Sequence, residues 1–159
     1  MESELLKVPK VPRSVTFWVH PEGRVTGSIF LRKQSMHHAG EETPLEALNH
    51  PEPFIVLRRQ DPDQLRFYNR KSLIRVEYEG KDYDVATAIK PLSCQLFMMD
   101  GSVISGNIQE PLHPNRARLL DYLNKTEDQF IKLHVDRNTV LVNKSYIIHV
   151  FIDNLEDSD

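Results

Sequence analysis

The chain repeats itself, and that constrains its fold more than any single motif. Val25-Thr26-Gly27-Ser28-Ile29, Leu45-Glu46-Ala47-Leu48-Asn49, Phe54-Ile55-Val56-Leu57 and Asn69-Arg70-Lys71-Ser72-Leu73-Ile74-Arg75-Val76 occur in that order. Ile104-Ser105-Gly106-Asn107-Ile108, Leu120-Asp121-Tyr122-Leu123-Asn124, Phe130-Ile131-Lys132-Leu133 and Asn143-Lys144-Ser145-Tyr146-Ile147-Ile148-His149-Val150 then come in the same order. The offsets are 79, 75, 76 and 74 residues, so only short insertions and deletions separate the copies. Each copy also carries an acid–glycine pair, Glu22-Gly23 and Asp100-Gly101. Two copies are too few for a solenoid. They predict two lobes, over residues 13–80 and 90–153, with loose polar tails at 1–12 and 154–159. Each lobe, at roughly 70–75 residues, is near the size where a lone core is marginal, so the lobes are expected to pack together.

The local patterns give each copy the order β-β-α-β-β-β. Val15 to Val19 is rich in β-branched and aromatic residues, which suit a pleated, half-buried surface. His20-Pro21-Glu22-Gly23 is a turn, and Val25 to Leu31 is the returning strand. In the second copy Cys94 to Met98 and Val103 to Ile108 flank Asp100-Gly101, a strong hairpin signal. Thr43-Pro44-Leu45-Glu46 has the form of a capping box with proline at the first helical position. Leu45 and Leu48 share a face of that helix. Asn49 is expected as a left-handed C-cap, with Pro51 as the stop. In the second copy Asn115 is the expected cap, Leu119, Leu120 and Leu123 the buried face, and Asn124 the end. Phe54 to Arg58 and Leu65 to Tyr68 flank the Asp61-Pro62-Asp63 turn. Phe130 to Val135 and Thr139 to Val142 flank Asp136-Arg137-Asn138. Short strands at Ile74–Val76 and Ile148–Val150 close the copies, and Lys81 to Lys90 links them. The fold class is therefore mainly β with short helices. Five short strands per copy are best buried by curling into a small barrel.

Composition narrows the function. The net charge is -3, which is not the basic excess of many nucleic-acid binders. No apolar stretch is long enough for a membrane helix, and the start Met1-Glu2-Ser3-Glu4 has no signal pattern, so no membrane is implied and the cytoplasm is the expected compartment. One cysteine, Cys94, excludes an internal disulfide and a cysteine-based zinc cluster.

Leu96-Phe97-Met98-Met99-Asp100-Gly101-Ser102-Val103-Ile104-Ser105-Gly106-Asn107-Ile108 resembles the first motif of Sm-like domains. Val142 to Ile148 is similar to the closing strand-turn-strand of that fold. Over residues 15–152 the chain resembles an uncharacterised bacterial family with two tandem Sm-like or SH3-like small β-barrel lobes. The resemblance implies two tandem barrels. It does not carry over RNA binding, because the aspartate and asparagine that contact RNA in the Sm first motif lack counterparts after Gly27 and Gly106. The arginine–glycine of the second motif is absent, and the helix lies between the second and third strands rather than before the first.

No motif for a nucleophile elbow, a cysteine–histidine pair, a zinc protease, a phosphate loop or a dinucleotide fingerprint is present. No catalytic, cofactor or metal residues are expected, and the six glycines read as turn residues. His37-His38 reads as an exposed loop, and His134 and His149 as solvent-facing strand positions. Cys94 reads as a half-buried structural thiol. One cluster stands out. Arg58, Arg59, Arg66, Arg70, Lys71 and Arg75 face only Asp61 and Asp63 over residues 58–75, a local charge of +4. With Phe67 and Tyr68 as stacking faces, Arg58, Arg59, Arg66, Tyr68, Arg70, Lys71 and Arg75 are the candidate anion or nucleic-acid contacts. Arg116 and Arg118 form a smaller patch. The expected function is a non-catalytic interaction or assembly module whose partner is another protein or a second copy. RNA, DNA or nucleotide binding through the basic hairpin is the alternative.

Overall fold

The computed structural model describes residues 9–80, 91–109 and 116–152. The chain divides into two compact units, Met1–Tyr78 and Glu79–Asp159. Both are mainly β, their strands pair antiparallel, and each has one short α-helix among the described residues.

Unit 1 contains β1 (Lys10–Val19), β2 (Gly23–Arg32), α1 (Pro44–Leu48), β3 (Phe54–Arg59), β4 (Gln64–Asn69), a 3-10 turn at Arg70–Ser72 and β5 (Leu73–Glu79) except for its last residue. Its strands lie in the order β5-β1-β2-β3-β4. Unit 2 contains β6 (Leu92–Met98), β7 (Val103–Ile108), α2 (Arg116–Leu123), β8 (Phe130–Val135), β9 (Asn138–Asn143), a 3-10 turn at Lys144–Tyr146 and β10 (Ile147–Phe151). Its order is β10-β6-β7-β8-β9, which is the same arrangement.

The match reaches single bonds. His20 N–H donates to Ser72 O and Met99 N–H to Tyr146 O, both at 2.8 Å. Arg70 N–H donates to Pro53 O at 2.7 Å and Lys144 N–H to Gln129 O at 2.9 Å. Ser28 pairs with Arg58, and Asn107 pairs with His134. The fall in repeat offset from 76 to 74 has a place. Residues 60–63 separate β3 from β4, whereas only Asp136 and Arg137 separate β8 from β9.

Period-2 alternation builds each core. Val15, Phe17 and Val19 on β1 and Val25, Ile29 and Leu31 on β2 are buried, with Leu57, Leu73 and Val76. Cys94, Leu96 and Met98 with Ile104, Ile108 and Leu133 repeat the pattern in unit 2. The alternation explains two glycines that are not turn residues. Gly27 falls at the inward position between Val25 and Ile29, and Gly106 between Ile104 and Ile108. A Cβ on Gly27 would lie 2.5 Å from Arg58 O and 2.9 Å from the Leu57 side chain. One on Gly106 would lie 2.8 Å from His134 O. Close strand crossing, not turn geometry, requires glycine there. The other four, Gly23, Gly40, Gly80 and Gly101, have left-handed backbone with φ between +89 and +103, as turn residues do.

Helix α1 begins as the sequence predicts. Glu46 N–H donates to Thr43 Oγ1 at 3.2 Å, and Thr43 N–H donates to Glu46 Oε1 at 3.1 Å. Its end differs. Asn49 sits at φ -91, ψ 7 rather than in the left-handed region, because its N–H stays on Leu45 O at 3.0 Å and the last helical bond closes without reversal. In α2, Leu119 and Leu123 are half-buried but Leu120 is 56% exposed. Adjacent helical residues diverge by about 100°, so the strip defined by Leu119 and Leu123 excludes Leu120. The expected loose tail at 1–12 fails at its end, and residues 1–8 lie outside the described residues. Lys10, Val11 and Pro12 belong to β1 and pair with Arg32, Leu31 and Phe30, which extend the hairpin past the apolar core. The expected Asn115 cap, the 81–90 link and the tail at 154–159 lie outside the described residues, as does His113.

Candidate interaction surface

The residues of the basic hairpin are held by their own unit. Arg58 makes a two-bond pair with Asp63, at 2.9 and 3.0 Å. The hydrogen bonds raise the arginine above its ordinary pKa and hold the Asp63 carboxyl below its own. Arg66 donates to Glu22 Oε1 and Gln64 Oε1 at 2.7 Å each and to the Tyr68 hydroxyl at 2.9 Å. Tyr68 is only 8% exposed. Its hydroxyl donates to Glu22 at 3.2 Å and its ring meets Phe17 edge to face at 5.6 Å. It belongs to the core and is not a stacking platform, because it shares the inward face of β4 with Arg66. Arg75 lies over the Trp18 ring, 4.3 Å from the centroid, and 3.5 Å from Glu77, which accepts the Trp18 indole N–H. Arg59 is half-buried, with its Nε buried and unbonded among the described residues. Lys71 is exposed.

Arg70 has a role the sequence conceals. Its guanidinium donates to Ala47 O at 2.9 Å, to Phe54 O at 2.8 Å and to Glu52 O. The side chain thereby serves a carbonyl in the last turn of α1 that has no partner within the helix. Burial pulls it below the ordinary arginine pKa. Lys144, its repeat counterpart, donates from Nζ to Leu123 O at 3.1 Å and Lys125 O at 2.7 Å at the end of α2. The asparagine before each basic residue completes the device. Asn69 Oδ1 accepts from Lys71 N–H at 2.9 Å and Asn143 Oδ1 from Ser145 N–H at 3.0 Å. The repeated Asn-Arg/Lys block was visible as a block, but its target lies about 20 residues away in sequence.

The outward face of the hairpin carries apolar groups beside the Arg58–Asp63 pair. Phe54, Val56 and Arg58 on β3 alternate outward, opposite Asn69, Phe67 and Leu65 on β4. Phe54 is 54% exposed, Leu65 55% and Phe67 64%, and Val56 is half-buried. Three large apolar side chains on one sheet face form a patch of the kind that marks interaction sites. The readable signals were the unbroken Phe54-Ile55-Val56-Leu57 run and the Leu65-x-Phe67 spacing, which place apolar groups on both faces of the hairpin. On unit 2, Ile148 and Phe151 of β10 are also exposed, and His149 stacks on Phe97 at 4.3 Å.

The remaining candidates are structural. His134 is buried, at 5%, rather than solvent-facing. The reason is that β8 is covered on both faces, with Phe130 through His134 all buried. His38 and His50 pair with Glu46 and Glu42, at 2.6 and 2.8 Å, within the 33–50 segment. Burial works to raise the Glu46 carboxyl. Hydrogen bonds from Ser35, the Thr43 N–H and His38 outweigh it and hold the carboxyl below its ordinary value. Cys94 is more buried than expected, and desolvation pushes its thiol up to about 11. Among the described residues no three His, Cys, Asp or Glu side chains converge to hold a metal ion, and no helix is long and apolar enough to cross a membrane. Comparison with protein-family models, curated proteins and solved structures finds no match.

Proposed function

We propose that the chain is a non-catalytic interaction or assembly module of two small Sm-like or SH3-like barrel lobes that arose by duplication, working in the cytoplasm. The observation that carries this reading is the outward Phe54, Leu65 and Phe67 face on an edge hairpin whose charged neighbours are already satisfied. Matched strand order and matched turn hydrogen bonds in the two units support the duplication. Affinity capture with mass spectrometry tests the function. Wild type is expected to retain a partner, or further copies of itself, that Phe67→Glu loses. Capture of the same set by both proteins would refute it.

Nucleic-acid or nucleotide binding through Arg58, Arg59, Arg66, Tyr68, Arg70, Lys71 and Arg75 is the second reading. The local charge of +4 supports it. The internal ion pairs of Arg58, Arg66 and Arg75 favour the first. Fluorescence polarisation with labelled single-stranded RNA and DNA at low salt separates the two. No binding ends the second reading, whereas binding that weakens with salt and with Arg58 and Lys71 neutralised revives it.

A further inference from the structure

We infer that His38 is a pH-sensitive latch: as an imidazolium it holds the 33–43 loop on α1, and it loosens the loop when the ring loses a proton. This goes beyond the reading of the chain as an interaction module and does not depend on it. The connection between β2 and α1 is where the two copies differ most in length. The repeat offset falls from 79 to 75 across it, so the first copy is four residues longer there. Ser35 N–H donates to Gly40 O at 2.7 Å and closes the loop, which carries an exposed Met36. Two side chains tie this loop to the helix, and both act through one carboxylate. Ser35 Oγ donates to Glu46 Oε2 at 2.6 Å, and His38 Nε2 lies 2.6 Å from Glu46 Oε1.

The other ring nitrogen decides the protonation state. His38 Nδ1 lies 2.9 Å from Ala39 O, a carbonyl that can only accept. A neutral imidazole has one donor and one acceptor, so it can serve one of these two oxygens but not both. Glu46 does not take the donor's part. Its Oε1 already accepts from Thr43 N–H at 3.1 Å and its Oε2 from Ser35. Burial works against its charge, yet the hydrogen bonds from Ser35, Thr43 N–H and His38 keep the carboxyl below its ordinary value. Both ring nitrogens of His38 therefore donate, and the ring is positive. Glu46 is the charged group that α1 sets against it. Lys33, His37, Glu41 and Glu42 lie on its own segment, and Glu42 is engaged by Arg32 N–H at 3.0 Å and His50 Nε2 at 2.8 Å. The imidazolium keeps both bonds, so the latch is closed below the folded midpoint of His38. As pH rises through that midpoint, the neutral ring gives up one acceptor and its charge pairing with Glu46. The His38 side chain is 43% exposed, so it trades its proton with solvent while the unit stays folded.

The experiment is a pH titration of the full chain by nuclear magnetic resonance. Ring nitrogen shifts report the protonation of each histidine, and His38→Gln identifies the His38 signals. In wild type His38 is expected to titrate above the ordinary histidine value of about 6.5. Heteronuclear NOEs of the amides of residues 35–40 are expected to fall above that same midpoint, as the loop gains motion. In Glu46→Gln, which keeps an acceptor for Thr43 N–H, the midpoint of His38 is expected to return towards the ordinary value. In His38→Gln the fall in loop NOEs is expected to vanish, with circular dichroism unchanged. A wild-type His38 that titrates at or below the ordinary value would overturn the inference. So would loop NOEs that stay constant through the titration, or a fall that persists in His38→Gln.

Discussion

The hairpins β3–β4 and β8–β9 have six cross-strand pairs each in the same relative register, yet they bury different faces. On β3–β4 the inward positions, such as Ile55, Leu57 and Tyr68, are covered, while the outward Phe54, Leu65 and Phe67 are about half exposed or more. On β8–β9 the outward set is covered as well. Phe130 is 1% exposed, Lys132 7%, His134 5%, Thr139 0%, Leu141 0% and Asn143 0%. At Thr139 part of that cover is Gly80, whose N–H donates to Arg137 O at 2.9 Å and whose carbonyl accepts from Thr139 Oγ1 at 2.7 Å. Equivalent positions in a repeat can thus keep their pairing while one becomes core and the other stays surface. Backbone register is set by the strands, whereas the second face depends on what lies against it.

Substitutions at matched positions sharpen this contrast. Leu141→Ala is expected to cost about 2–5 kcal/mol, as truncation of a buried leucine does. Phe67→Ala at the same register position should stay within about 0.5 kcal/mol. Urea unfolding measures both, and equal losses would break the comparison. Where the units agree, Arg70→Met should cost about 1.5–3 kcal/mol, the range for hydrogen bonds to a charged group, and Lys144→Met less because it serves two carbonyls rather than three. A harmless Arg70→Met would remove the shared helix-end role. Gly27→Ala should cost about 1–3 kcal/mol through overpacking, and Gly106→Ala less, since its Cβ meets backbone at 2.8 rather than 2.5 Å.

Smaller effects separate the units by pH and chemistry. The Glu46 carboxyl is depressed in the folded unit, so its contribution is present above the ordinary value of 4.5 and is lost as pH falls through the lower folded value. Glu46→Gln is expected to flatten that part of the stability–pH curve, and an unchanged curve would discount the Ser35–Thr43–His38 cradle. Cys94 stands where the first copy has Val15, and both are buried. Cys94→Val should change stability by less than about 1.5 kcal/mol, as volume-conserving core swaps do. With its thiol protonated at neutral pH, native Cys94 should resist a thiol reagent that labels the unfolded chain at once.

Much of this architecture was legible in the chain. Alternation and the Asp-Gly pair gave the strands, Thr43-Pro44-Leu45-Glu46 gave the start of α1, and the offsets allowed only short insertions and deletions between the copies. The rest was hidden for definite reasons. His134 read as a solvent position because polar residues at alternate places on a strand normally are, and only long-range cover reverses that. Arg66 and Arg70 read as binding residues because their partners, Glu22 and the carbonyls at the end of α1, lie far off in sequence. Gly27 read as a turn residue although its neighbours marked it as inward-facing. Of the exposed apolar face only Phe67 was expected at the surface, because an apolar run does not say which of its sides will be covered.

The indole beneath Arg75 has an optical consequence. Trp18 is the chain's single tryptophan, it lies in unit 1, and a guanidinium on its ring and a carboxylate on its N–H polarise it. Its emission is therefore a private reporter of unit 1, whereas circular dichroism sums over both units. Melting followed by the two signals asks whether the repeats come apart together or in turn. Divergent curves would assign the first event to one half of the chain without any label being attached.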